Sequence, residues 1–213
     1  PQTKSVFTRY EGGDVYVNGK LLLDITEGSG IQFDGAAFYV ASAHTTDETA
    51  VDMTNYPVTN VTWYGAIAFC NWYSHMRSLF PLYDLDEWRL SDDWRDNGIE
   101  GPAGYRLPFE PEWELAAARG SEGAKFSTGK HWTFGMTSDL LDGTLANFNA
   151  SNPINLNSIP YVTPVGYYNG INPETSEAIS PSGCYDMSGN VAEWTYGRAN
   201  AYPDYDPYVW NEM

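Results

Sequence analysis

Basic residues are scarce in this chain. Eleven Lys and Arg stand against 28 Asp and Glu, a formal net charge of −17 at pH 7. Such a field repels phosphate backbones and anionic lipid, so nucleic acid and a bare membrane surface are excluded as expected partners. Cysteine is nearly absent, and two residues, Cys70 and Cys184, are too few for a disulfide framework. Cys70 lies in an apolar helical run, where a free thiol behaves as a small hydrophobe. Spacing alone does not say whether Cys70 and Cys184 could bond. The three histidines, His44, His75 and His131, are scattered without the spacing of zinc or iron sites. No apolar run approaches the about 18–20 residues of a membrane span, so direct membrane insertion is not expected. No secretory leader is visible in the sequence.

The length, 213 residues, suits one domain, or one domain with an N-terminal extension, and allows a sizeable core. Aromatic residues make up 15%, mostly Tyr and Trp, which suits a loop-rich extracellular, cell-surface, periplasmic or virion module. The first 50 residues read as strands and turns, with Asn18-Gly19 as a hairpin tip. Asn60 or Thr62 caps a helix over about 63–75, with Trp63, Ile67, Cys70 and Ser74 inward and Ala66, Phe69 and Tyr73 widening the stripe. Residues 77–103 read as a long insertion with one short helix near Leu85–Leu90. A second helix is expected over about Glu110–Arg119, with Pro111 in its first turn and Gly120 as its stop. From 120 to 183 the chain is rich in Gly, Asn, Ser and Pro, with Tyr161–Tyr168 as a strand candidate. So long an irregular stretch in a compact domain needs special support.

Ser182–Trp194 carries the chemistry that the rest lacks. Asp186 and Glu193 flank Gly189-Asn190, residue types that tolerate the positive φ of a tight reversal. Such a turn can converge two carboxylates and the carbonyls between them, which suits a hard cation such as calcium. An acidic, solvated loop beside a buried Trp194 is the other reading of the same spacing.

Three blocks resemble one family. Gly183-Cys-Tyr-Asp-Met-Ser-Gly-Asn-Val-Ala-Glu-Trp194 is similar to the Gly-Leu-Tyr-Asp-Met-x-Gly-Asn-x-x-Glu-Trp signature of the formylglycine-generating enzyme, or sulfatase-modifying-factor, family. Gly104-Tyr-Arg-Leu-Pro-Phe-Glu-Pro-Glu-Trp-Glu-Leu-Ala-Ala-Ala-Arg119 and Tyr56-Pro-Val-Thr-Asn-Val-Thr-Trp-Tyr-Gly-Ala-Ile-Ala-Phe-Cys-Asn-Trp72 resemble two further blocks of that family, in the same order. The resemblance implies an α+β, C-type-lectin-like fold of two helices, short strands and many loops. It implies an N-terminal strand and hairpin extension over 1–30 and a domain over 31–213. It also implies two calcium sites: Asp186 and Glu193 with the carbonyls of Gly189 and Val191, and Asn147 and Asn157 with the carbonyls of Phe148 and Ile159. Asn157 stands where some members carry Asp, which removes a charge and weakens binding.

Departures from the pattern bear on function. The family's capping Thr before the second helix is Phe109, so another acceptor must serve that end. The catalytic cysteine pair of the oxidases lies beyond the Glu-Trp block, where this sequence has no cysteine. The expected function is therefore a non-catalytic, calcium-stabilised binding or structural module. The alternatives are an oxidase whose cysteines lie on a segment past Met213, or a retroelement-diversified receptor. The family's final segment pairs with the N-terminal strands, so an open sheet edge and the aromatic stretch Tyr202–Trp210 are the expected routes to a protein partner or self-assembly.

Overall fold

In the computed structural model, residues 9–11, 14–25, 29–91, 103–118, 142–148, 151–180 and 182–197 are described. Three strands open the fold: β1 (Arg9–Glu11), β2 (Asp14–Val17) and β3 (Lys20–Leu23), antiparallel in that order. The β2–β3 reversal is the expected Asn18-Gly19 turn, with φ of 47° and 75° at its two central residues, the signs that a type I′ hairpin demands. Val15 and Val17 point inward from β2 and Leu22 from β3, where they pack with Ala68, Tyr64, Leu85 and Trp88.

Helix α1 (Trp63–Met76) lies against β3. Thr62 is its cap, the hydroxyl accepting the Gly65 N–H at 3.1 Å and so satisfying one otherwise orphaned donor. Gly65 permits the close seat on the sheet, since a Cβ there would lie 2.1 Å from the Leu22 carbonyl oxygen. The outer edge of β3 is paired by Asn60–Thr62, through Thr62 N–H to the Leu22 carbonyl and Asp24 N–H to the Asn60 carbonyl. The hairpin expected as part of an extension thus shares one core with α1.

The buried face of α1 consists of Gly65, Ile67, Ala68, Cys70 and Ser74. Phe69, expected on that face, is 56% exposed. Phe69 falls about 160° around the helix from Ile67, away from the core cluster that Ile67 and Cys70 enter. Ile67 and Cys70 pack with Tyr83, Leu90, Leu107 and Tyr196 in a second cluster.

The helix expected near Leu85–Leu90 is instead the turn of a hairpin between β8 (Tyr83–Asp84) and β9 (Arg89–Leu90). The Asp84 carboxylate accepts the N–H groups of Asp86 and Glu87 at 2.8 and 3.1 Å, and Trp88 has a φ of 57°. An Asx turn followed by a left-handed residue competes with helix and wins. Two further hairpins, β4 (Ile31–Phe33) with β5 (Phe38–Val40) and β6 (Ser42–His44) with β7 (Ala50–Asp52), account for 31–52.

Helix α2 (Glu110–Ala118) covers the expected span; Arg119 and Gly120 lie outside the described residues. Of the capping box, the half that needs no Thr is kept. Glu112 reaches back to accept the Phe109 N–H at 2.8 Å, and the Phe109 carbonyl accepts from Glu112 and Trp113 N–H. Arg106 clamps the same carboxylate through two bonds of 2.6 and 2.7 Å. Pro111 has no N–H to satisfy. Tyr161–Tyr168 is not a strand: Val162, Thr163 and Tyr168 are buried in irregular chain. Among the described residues no helix is long and apolar enough to cross a membrane.

Candidate functional site

Asp186, Gly189 and Asn190 all adopt positive φ, at 58°, 78° and 60°, so the chain between the two carboxylates coils tightly as the Gly-Asn pair requires. It coils onto the Asn147 segment. The Asn190 N–H donates to the Asn147 carbonyl at 2.7 Å, and a Cβ on Gly189 would stand 2.2 Å from that same oxygen. The Asn190 side chain then takes the role of a neighbouring strand: its Oδ1 accepts the Thr163 N–H at 2.9 Å and its Nδ2 donates to the Thr163 carbonyl at 3.2 Å. Buried Asn147 donates to the Tyr161 carbonyl and accepts from the Ser151 hydroxyl, each at 2.7 Å. Three loops are thereby laced together without a β-ladder. This is why Tyr161–Tyr168, with strand-like composition, is not strand.

A cavity of about 590 Å³ opens between these loops and α2. Of the residues expected to hold metal, Asn147, Phe148, Asp186, Gly189, Val191 and Glu193 line it. Asn157 and Ile159 do not. Both are exposed, and the Asn157 N–H is bonded to the His44 carbonyl at 2.9 Å. The first expected set is therefore brought to one cavity, while the second is split between the cavity and the 157–159 loop. Trp113, Tyr161 and Met187 complete much of the wall.

Each carboxylate is oriented by a donor. Asp186 accepts the Gly166 N–H at 2.6 Å. Burial holds its carboxyl above the ordinary range, and that hydrogen bond pulls it partly back. Glu193 accepts the Trp113 indole N–H at 2.6 Å, from α2. Trp194 and Trp63 fix the segment beyond, donating to the carbonyls of Val61 at 2.8 Å and Thr195 at 3.2 Å. Trp113 and Gly166 were missed as partners, because no local spacing rule connects positions so far apart in sequence. The Glu112-Trp113-Glu114 block carried the only signal.

The donor set suits a hard cation. The cavity offers carboxylate and carbonyl oxygens, and no thiol, imidazole or basic side chain lines it among the described residues. No group of three or more His, Cys, Asp and Glu converges among those residues either, so any ion here depends on backbone oxygens, as calcium tolerates and zinc does not. Cys70 and Cys184 are unpaired. Burial pushes the Cys70 thiol up to about 11, away from the thiolate that nucleophilic chemistry uses.

The model of the sulfatase-modifying factor enzyme 1-like domain matches residues 24–204. The chain belongs to that family. It is similar to a chaperone protein LppX from Paenibacillus barcinonensis, 29% identical over 163 residues that make up 72% of this chain and 56% of that protein. It is similar to a serine/threonine-protein kinase Pkn1 from Chlamydia trachomatis, 30% identical over 65% of this chain but 13% of the kinase. A formylglycine-generating enzyme from Thermomonospora curvata is 27% identical over 67% of this chain and 34% of the enzyme. The family member thus spans about half the length of the first of these relatives and less of the others. No solved structure matches.

Proposed function

We propose that this sulfatase-modifying-factor domain is a non-catalytic binding or assembly module of C-type-lectin-like fold, stabilised by calcium. The observation that carries the reading is the shared cavity: two oriented carboxylates and a carbonyl-bearing turn face it, and neither cysteine lines it. Asp186, Glu193 and the carbonyls of Gly189 and Val191 would hold the ion, with water or a ligand completing its six to eight oxygens. When bound, calcium supplies positive charge that offsets the burial of Asp186. In the second expected set, Asn147 already uses Oδ1 and its carbonyl for Ser151 and Asn190, so the Asp186–Glu193 set is the stronger of the two. Partner binding by an LppX-like chaperone domain agrees with a module that recognises protein. The Tyr202–Trp210 stretch, which lies outside the described residues, is the segment we assign to self-assembly outside the cytoplasm.

Chelation tests this reading. An ion that binds only the native state stabilises by RT ln(1 + [L]/Kd), about 2.7 kcal/mol at a hundredfold excess over Kd. Calcium should raise the Tm, EGTA should lower it, and Glu193→Gln should abolish the difference. Identical melts with and without calcium, and no metal in elemental analysis, would remove the calcium. The similarity to the Thermomonospora enzyme supports a second reading, a domain of an oxidase. Conversion of a cysteine-containing peptide by this chain with copper would establish it.

A further inference from the structure

Helix α1 carries two apolar stripes, and only one is buried. The other, Phe69, Trp72, Tyr73 and Met76, follows i, i+3, i+4, i+7 spacing. It faces solvent, with Phe69 56%, Trp72 50% and Met76 65% exposed. The rings form a continuous group. Phe69 and Tyr73 are parallel to within 7° at 5.8 Å, Trp72 lies 5.6 Å from Phe69, and Tyr105 lies 4.6 Å from Tyr73. Arg77 closes the stripe, its guanidinium 5.2 Å over the Tyr73 ring and donating to the Tyr73 hydroxyl at 2.8 Å. Among the described residues no carboxylate pairs with Arg77, although acidic residues outnumber basic ones 28 to 11 in the chain. Trp, Tyr and Arg side by side are the residue types that carry interface energy. An exposed apolar stripe of this kind marks an interaction surface.

We propose that this face of α1 is the receptor for the Tyr202–Trp210 segment of a second copy of the chain. The inference rests on the self-assembly reading above and names the surface that reading lacks. Charge complementarity selects the occupant. Tyr202-Pro-Asp-Tyr-Asp-Pro-Tyr-Val-Trp210 brings four aromatic rings and two carboxylates with no basic residue. Asp204 or Asp206 pairs with Arg77, for which a carboxylate offers bidentate acceptors. Tyr205, Tyr208 and Trp210 cover Phe69, Trp72 and Met76. Two prolines limit the freedom that docking must remove. The chain's net charge of −17 disfavours the same acidic segment elsewhere, which favours a face that joins a cation to exposed aromatic rings.

The test is light scattering of the full chain over a concentration series, with melts as a check on folding. We expect self-association that Arg77→Glu and Trp72→Ala each weaken at least tenfold with an unchanged Tm, both side chains being exposed. A charge swap, Arg77→Glu with Asp204→Lys and Asp206→Lys, should restore it. A synthetic peptide of residues 201–211 should dissociate the assembly, and its Asp204→Asn, Asp206→Asn form should not. Self-association that is unaffected by both α1 variants would overturn the α1 assignment and leave assembly through the segment intact. A full chain that is monomeric at every concentration would overturn both.

Discussion

Gly189→Ala tests the lacing of the cavity most directly. Two separable costs act at this position. Its φ of 78° is left-handed, which costs an L-residue with a Cβ about 1–2 kcal/mol. The new Cβ would also lie 2.2 Å from the Asn147 carbonyl oxygen. That oxygen cannot retreat freely, because it accepts the Asn190 N–H at 2.7 Å. Forcing such a contact open costs about 1–3 kcal/mol more, by analogy with overpacked cores. Gly183→Ala is the internal control: its φ is 88°, but nothing lies within 4 Å of the added Cβ. Urea denaturation in EGTA should therefore give a loss of roughly 2–5 kcal/mol for Gly189→Ala and about 1–2 kcal/mol for Gly183→Ala. For a chain of this size each kcal/mol is about 2–4 °C in Tm. Equal losses in the two variants would refute the close approach of the 186–193 turn to Asn147.

Asn190→Ala removes both bonds to fully buried Thr163 and should cost roughly 2–4 kcal/mol, since each stranded backbone group costs about 1–3 kcal/mol; Asn190→Gly, which relieves the positive φ, should recover only part of that loss in the same denaturation series. Glu112 is held below the ordinary carboxylate range by its bonds to Arg106, with the Phe109 N–H adding to the effect. Its folded value lies under its unfolded one, so this stabilisation is present above the unfolded value, about 4.3, and is lost as pH falls through the folded value. The acid limb of a Tm-against-pH curve should therefore flatten in Glu112→Gln. Cys70, buried and with its thiol pushed up to about 11, should resist iodoacetamide at pH 8 while half-buried Cys184 reacts; equal labelling rates in the native protein would show that α1 opens readily. In chelated protein Asp186→Asn should be neutral or slightly stabilising, because it removes a carboxylate whose charge burial disfavours. In calcium it should abolish the added stability, and a variant that melts like the native chain under both conditions would exclude Asp186 as a ligand.

Where the sequence was legible, the deciding interactions were local. The Asn18-Gly19 turn, the Thr62 cap and the span of α2 each rest on residues within four positions of one another. The Phe109 departure was legible as a problem, and the Phe109 carbonyl answers it by accepting the Glu112 and Trp113 N–H groups. The expected helix near Leu85–Leu90 failed on equally local grounds, because the Asp84 carboxylate captures two N–H groups that a helix would have used. Phe69 failed for another reason. Periodicity locates a stripe on a helix, but α1 has two, and which of them is buried is decided by the packing of Ile67 and Cys70 against Tyr83, Leu107 and Tyr196, all distant in sequence.

The loop-rich half was opaque because its ladder bonds are made by side chains. Asn190 brackets the backbone of Thr163 through both its N–H and carbonyl, and Asn152 does the same to Leu156; outside that half, Asn71 of α1 does so to Tyr83 of β8. A primary amide presents the same donor and acceptor as a peptide group, so it can stand in for a neighbouring strand without imposing a two-residue period. Composition then reads as loop although the backbone of Thr163 and Leu156 is paired through both its N–H and its carbonyl. The carboxylates inherit this design. Asp186 and Glu193 are held by Gly166 and Trp113, one from a loop and one from α2. Their convergence on one cavity depends on amide clamps that no spacing rule records. A cation at that cavity would act on a framework of single hydrogen bonds rather than on a sheet. Its removal should loosen residues 147–166 and 186–193 together, before α1 or the β2–β3 hairpin responds.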